Sequence, residues 1–151
     1  MGSNGAARCS DYGDGYMSFR SALLDYLEAD TTLTDLLTGG IYAAQEIKRQ
    51  ATPDAFDSNL EIRPCCLIKL ETDVRFGPHY TSSRLFFTLY FYQRTGFDVI
   101  DQAKDRAFAL LNRACGVASY EIWHADDIND QEDQALECSL VTSRYFAVRV
   151  R

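Results

Sequence analysis

Apolar positions recur at helical spacing in the first part of the chain. Ser18 is a favoured helix N-cap, and the apolar residues after it share one helical face: Phe19, Ala22, Leu23, Tyr26 and Leu27. The pattern predicts a first helix over 18–29 and a short second helix that Thr32 caps and the glycine pair 39–40 closes. Residues 41–42 are predicted as extended chain, and the stretch 43–61 has weak periodicity and is predicted as a loop.

The middle of the chain alternates apolar residues with a period of two, which is typical of strands. Residues 65–71 predict one strand and 83–94 a second, and the polar stretch 72–82, with its Gly-Pro pair, predicts a long hairpin connection. The second strand is apolar on both faces, with Leu85, Phe87, Leu89 and Phe91 on one and Phe86, Tyr90 and Tyr92 on the other. Such a strand is either sandwiched within its own chain or covered on one face by another subunit.

The last third of the chain predicts a helix and two strands. Asp98 is expected to cap the helix. The elements predicted after it are a strand, an acidic turn and a final strand, over 119–125, 126–133 and 136–150. Arg144 interrupts the apolar parity of the final strand, so a bulge or a bent strand is expected near Ser143.

Together these elements predict an α+β fold, with two to three helices packed on a largely antiparallel sheet of about four strands and a long hairpin loop. The chain has 151 residues, which is the usual size of one domain. Residues 1–16 are rich in small polar residues without an apolar period and are expected as a flexible N-terminal tail. Residues 17–151 are expected as a single domain.

Charge is distributed unevenly along the chain. The net charge is −7, and the stretch 121–137 contains seven carboxylates with no Lys or Arg, so the rest of the chain is balanced. A domain that binds the phosphate backbone of a nucleic acid is expected to concentrate positive charge on one surface. Sequence-specific binding of nucleic acid is therefore not expected.

The sequence contains no catalytic or metal-binding pattern. It lacks the nucleophile-elbow, zinc-protease and P-loop motifs, and its five cysteines include no CxxC pair. The two histidines, His79 and His124, stand at no spacing that indicates nucleophilic catalysis. We expect no enzymatic activity, cofactor or metal, and we expect no secretory signal or membrane-spanning segment.

The order of elements resembles that of the tail-terminator or tail-completion proteins of long-tailed bacteriophages, a group of minor tail and neck proteins. The resemblance extends from about Ser18 to Val150. It rests on SFRSALLDYLEAD with LTDLL behind it, GGIY, the strand opened by Pro64, RLFFTLYFYQR leading to DVIDQAKDRAFALLN, an acidic turn and the final SRYFAVRV. The family has no catalytic residues to carry over.

The resemblance implies a virion structural protein that forms a ring, expected to be a hexamer, at the head-proximal end of the tail tube. The ring would end tube polymerisation and offer a surface for head joining. Its partners would be other copies of itself, the tail tube protein and a head-neck connector protein. Genomic double-stranded DNA would pass through the lumen without specific binding, which suits an acidic protein. The protein would lie in the tail or neck of the virion after assembly in the host cytoplasm, with no membrane involved.

Three sets of residues are candidates for these contacts. The subunit interface is predicted at Phe86, Tyr90 and Tyr92. A loop facing the tube or lumen is predicted at Arg75, Phe76, His79 and Tyr80. An acidic docking surface is predicted at Asp126, Asp127, Asp130 and Asp133.

Other readings of the same sequence stay open. Within the virion, the chain could be a head-closure or neck adaptor protein. Outside it, the chain could be a monomeric, non-enzymatic module that binds another protein. The mass in solution separates the ring from the monomeric module.

Overall fold

Helix α1 (Phe19–Glu28) begins where the sequence predicts. The computed structural model of the protein describes residues 18–76 and 82–150, so the predicted N-terminal tail lies outside the described residues. The Ser18 hydroxyl accepts a hydrogen bond from the Ser21 amide at 3.1 Å. This bond satisfies one of the amides that a helix start leaves without a partner, which explains why the helix begins there.

Helix α2 (Thr31–Leu36) is confirmed, but its cap is not the predicted Thr32. Asp30 occupies the N-cap position, and its carboxylate accepts the Leu33 amide at 2.9 Å. The helix therefore begins one residue before the position of the predicted cap. A carboxylate is also favoured at this place because it faces the positive end of the helix dipole.

Five strands form one sheet: β1 (Ile41–Tyr42), β2 (Cys65–Phe76), β3 (Ser82–Gln93), β4 (Glu121–Asp133) and β5 (Cys138–Val150). Their order is β1-β2-β3-β5-β4, and all neighbours are antiparallel except the β1–β2 pair. Helices α1 and α2, together with α3 (Asp98–Leu111), pack on one face. The predicted α+β fold with a largely antiparallel sheet is confirmed, and the short β1 is the strand beyond the expected four.

The hairpin between β2 and β3 is more regular than predicted. Residues 72–76 and Ser82 belong to the strands, so the predicted connection over 72–82 is wrong in its bounds. The register shifts between Leu70 and Asp73, which marks a bulge within β2. Pairing with β3 extends the strand past this bulge, although exposed polar residues give little strand signal of their own.

The acidic stretch predicted as a turn is a strand. β4 continues through Asp133, and the actual turn to β5 lies at 134–137. The register shifts between His124 and Asp126 and again between Ile128 and Gln131. The prediction of a bulge near Ser143 of the final strand is wrong, because β5 pairs with β3 without a register shift and both bulges lie on β4.

Helix α3 receives its N-terminal cap from the preceding strand. Its N-cap residue is Phe97, without a side-chain cap bond, so the predicted capping role of Asp98 is wrong. Instead the Gln93 amide oxygen accepts hydrogen bonds from Val99 and Ile100, both at 3.1 Å. The Gln93 amide nitrogen donates to the Asp98 carboxylate at 2.6 Å, which fixes the orientation of the cap.

Two cores lie on the two faces of the sheet. The larger core lies under the helices and contains the predicted β3 face, Leu85, Phe87, Leu89 and Phe91. The smaller core lies on the other face, where the connection 43–64 between β1 and β2 crosses the sheet. Its residues are Ile47, Ala55, Phe56, Ile62, Cys65, Leu67, Tyr92 and Cys138. This connection covers one end of the second face and leaves the other end open.

Candidate functional site

The open end of the second sheet face carries a row of aromatic side chains. Phe86 on β3 pairs with Phe146 on β5, and Phe146 pairs with Trp123 on β4, so the three rings lie side by side on one face. The ring centroids of Phe86 and Phe146 are 6.0 Å apart. All three rings are half-buried by the chain itself, which leaves part of each exposed.

Three arginines lie over these rings. The guanidinium carbon of Arg84 is 5.0 Å from the Phe146 centroid, that of Arg113 is 5.2 Å from the Trp123 centroid, and that of Arg144 is 5.7 Å from the Phe86 centroid. Such cation–π contacts attract an arginine to the face of a ring. We call the six residues the arginine–aromatic patch: Arg84, Phe86, Arg113, Trp123, Arg144 and Phe146.

Two carboxylates lie beside this patch and contact its residues. The Glu121 carboxylate accepts a hydrogen bond from the Trp123 indole at 2.7 Å. The Asp126 carboxylate lies 3.2 Å from Arg144 and forms an exposed ion pair with it. Both acids are therefore held by neighbours in the same chain.

A shallow groove of about 420 Å³ lies beside the patch. Its walls come from four strands and include Glu71, Tyr90, Asp126, Ile128 and Arg144. The Ile128 side chain is 57% exposed, which is unusual for a large apolar residue in a strand. The groove has charged and apolar walls and is open to solvent, so its shape suits another protein surface better than a small molecule.

The structure separates the three predicted interface residues. Phe86 and Tyr90 lie half-exposed on the open face. Tyr92 is only 6% exposed, because the 43–64 connection packs over it in the smaller core. Tyr92 is thus a core residue of this chain, and burial raises the pKa of its hydroxyl well above the usual range.

The other acidic residues of 121–137 divide into two groups, of which Asp127 is the first. Asp127 faces the helices, and its carboxylate accepts the Ser143 hydroxyl at 2.6 Å and lies 2.8 Å from His124 Nε2. Lys104 of α3 is 3.9 Å away. Burial raises the pKa of Asp127, but these hydrogen bonds and charges outweigh it and hold the pKa below its usual value.

The second group lies at the far end of β4 and in the following turn. We call it the acidic tip: Asp130, Glu132, Asp133 and Glu137. Asp133 accepts the Leu136 amide at 3.0 Å, which shapes the turn. Within the described part of the chain, no Lys, Arg or His forms a salt bridge with any of these four carboxylates.

The predicted tube or lumen loop falls mostly outside the described residues. Arg75 lies exposed near the end of β2, and Phe76 is the last residue of that strand. His79 and Tyr80 lie outside the described residues, so their role stays a prediction. The same holds for the Gly-Pro pair of this loop.

The site geometry gives no sign of nucleophilic chemistry. Asp127 bonds both Ser143 and His124, so the carboxylate stands between the hydroxyl and the imidazole, which a catalytic triad would bring into direct contact. Burial raises the pKa of the Cys65 and Cys138 thiols to about 12, which disfavours the reactive thiolate.

Over residues 18–76 and 82–150, no group of His, Cys, Asp and Glu side chains is placed to hold a metal ion. No helix in these ranges is long and apolar enough to cross a membrane.

Sequence reasoning missed most of the arginine–aromatic patch. Phe86 is the only one of its residues that the sequence predicts as a contact, although Arg84 lies on the same strand, and the other four stand on β4, on β5 or after α3. The available signal was the alternation of Arg144 and Phe146 on one strand parity. That parity turns out to be the open face, so Arg144 lies at the surface and needs no bulge in β5.

Comparison with known proteins gives a match in structure only. No family model matches the sequence, and no curated protein matches it. Among solved structures, the fold is similar to that of a chain in a structure titled "Virion of native gene transfer agent (GTA) particle". The TM-score is 0.66 at 13% sequence identity, and the match covers 87% of this chain and 94% of that chain. The chain therefore shares its fold, nearly from end to end, with one chain of a virion.

Proposed function

We propose that this protein is a structural component of a phage-like virion and forms a ring at the head-proximal end of the tail tube. The proposal rests on the structural similarity to a chain of a gene transfer agent virion, which extends over most of both chains. The ring ends tube polymerisation and presents a surface to which the head is joined. The resemblance of the sequence to tail-terminator proteins supports this more specific role.

The exposed surfaces are consistent with assembly. A sheet face with half-exposed aromatic rings and arginines is typical of protein interfaces, where these residue types are enriched. Phe86 and Tyr90 of the predicted interface lie on that face. In this proposal the partners of the protein are further copies of itself, the tail tube protein and a neck connector protein.

The charge of the protein suits a ring through which DNA passes. The net charge of −7 disfavours binding of passing phosphates. Of the four predicted docking acids, Asp126 and Asp127 are held by cations of the same chain, whereas Asp130 and Asp133 remain in the acidic tip. In this proposal genomic DNA therefore passes through the ring without being bound specifically.

Polymerisation of the tail tube protein in the presence of this protein tests the role directly. Electron microscopy is expected to show shorter tubes with a ring at one end, and the tube length should fall as the protein is added. A matched reaction without the protein should give longer, open-ended tubes. Uncapped tubes of unchanged length would contradict the terminator role. Binding to isolated heads without binding to tubes would favour the neck adaptor.

A further inference from the structure

We propose that the acidic tip of one copy docks on the arginine–aromatic patch of the next copy, head to tail around the ring. This inference rests on the proposed ring and names the two surfaces that build it. The acidic tip receives no salt bridge from the described residues, and the patch has three exposed arginine side chains. Because the two surfaces carry opposite charge, we take the occupant of each to be a second copy of this protein.

The acidic tip lacks neutralising partners of its own. Asp126 and Asp127 have Arg144 and Lys104 beside them, but no salt bridge reaches the acidic tip from the described residues. Glu132 and Glu137 are exposed, and their side chains have no hydrogen bond within the described part of the chain. Four like charges at one strand end repel one another, and a cationic partner relieves that repulsion.

The arginine–aromatic patch has the chemistry of such a partner. A guanidinium that lies flat on a ring still has N–H groups at its edge, and these donate to carboxylates in a bidentate geometry. The Arg113 guanidinium lies over the Trp123 ring and is exposed. The half-exposed rings of Phe86 and Phe146 add apolar area that a partner would bury.

The two surfaces cannot meet within one chain. Phe146 of the patch and Cys138 beside the tip are eight positions apart on β5, which is about 26 Å at the usual rise of a strand. Since the surfaces lie at opposite ends of the sheet, the contact is heterologous: one end of each copy meets the other end of its neighbour. Heterologous contacts close into rings when the rotation between copies allows it.

A nucleic acid is the other ligand class that arginines and aromatic rings attract. The observations favour a second copy, because Glu121 and Asp126 contact residues of the patch and the chain is acidic overall. The continuous row of phosphates in a nucleic acid would be repelled by these two carboxylates. The acidic tip of a second copy carries its carboxylates on separate side chains, so it can place them beside the arginines and away from Glu121 and Asp126.

Charge reversal on each surface tests the pairing. The tip variant is Glu132→Lys with Glu137→Lys, and the patch variant is Arg84→Glu with Arg113→Glu. Light scattering after size exclusion at low salt is expected to show the wild type as an oligomer and to show at least a tenfold weaker association for each variant alone. An equimolar mixture of the two variants should regain the oligomer, because each reversed surface then meets an opposite charge.

Matched controls reverse the same number of charges elsewhere. Asp25→Lys with Glu28→Lys and Arg20→Glu with Arg63→Glu change exposed residues outside both surfaces, and they should assemble like the wild type. Circular dichroism of all variants confirms that they fold. A variant carrying all four substitutions of tip and patch should assemble with itself, which provides a second route to the same conclusion.

Several outcomes would overturn the inference. They are a monomeric wild type, assembly that neither variant weakens, and a mixture that stays dissociated. Binding of a fluorescent single-stranded oligonucleotide that the patch variant abolishes, with the mass unchanged, would assign the patch to nucleic acid. If the wild type still caps tail tubes in any of these cases, the proposed function stands and only the docking surfaces are wrong.

Discussion

The carboxylate of Asp30 joins the start of α2 to the guanidinium of Arg106 on α3. Arg106 donates from Nε at 2.9 Å and from Nη2 at 2.6 Å, which is a bidentate pair. The same carboxylate accepts the Leu33 amide at 2.9 Å. Because one side chain serves as both a helix cap and an ion-pair partner, it holds the packing angle between two helices over the sheet.

Replacing Asp30 by alanine should destabilise the fold by about 1 to 2 kcal/mol, because the cap and the bidentate pair are lost together. Urea unfolding followed by circular dichroism measures the change in the free energy of unfolding. Asp25→Ala is the control, since this exposed residue of α1 caps nothing, and it should stay within about 0.5 kcal/mol of the wild type. Equal losses in the two variants would contradict the role of Asp30.

The free energy of unfolding should decrease at low pH, because protonation of Asp127 removes its stabilising charge. Its folded pKa lies below the usual value of 3.8, so its contribution is fully present above that value and is lost as the pH falls through the folded pKa. The difference in unfolding free energy between the wild type and Asp127→Asn should therefore be largest near pH 6 and shrink below about pH 4. Urea titrations at a series of pH values measure it. A difference that does not change with pH would show that the charge of Asp127 has no part in folding.

Gln93→Met should destabilise α3, because the substitution removes the acceptor for two helix amides and leaves Asp98 without its hydrogen bond. The expected loss is about 1 to 2 kcal/mol. Gln134→Met is a matched control in the exposed β4–β5 turn. Hydrogen exchange should show faster exchange of the Val99 and Ile100 amides in the Gln93 variant only. Unchanged exchange there would mean that another group caps the helix.

Tyr90→Asp should prevent ring formation and leave a folded monomer. The Tyr90 ring is half-exposed on the open face, and a charge there would meet Glu71 on the same face. Tyr90→Phe keeps the ring and is expected to assemble normally. Native mass spectrometry gives the number of subunits in each variant. Rings of wild-type size from Tyr90→Asp would place the interface elsewhere.

Local signals explain which elements the sequence predicts well. Helix α1 has its cap and its apolar stripe within a few residues, and β3 has an unbroken apolar alternation. The sequence therefore predicts both elements nearly to the residue. The α+β fold follows from their order.

Long-range pairing explains what the sequence does not predict. Asp and Asn disfavour strands, so the acidic half of β4 has the composition of a turn, yet its pairing with β5 continues to Asp133. Gln93 caps a helix that begins several residues later, which no local capping pattern includes. The arginine–aromatic patch forms only where β3, β5 and β4 lie side by side, so the sheet order had to be known first.

The two bulges of β4 affect how copies of the protein can associate. β4 is the last strand of the sheet, and its outer edge would otherwise be a template for the backbone of a neighbour. Bulges and carboxylates along that edge interrupt the regular spacing of amides and carbonyls that continuous pairing needs. Copies crowded at one end of a tail should therefore join through side chains and resist merging into fibrils.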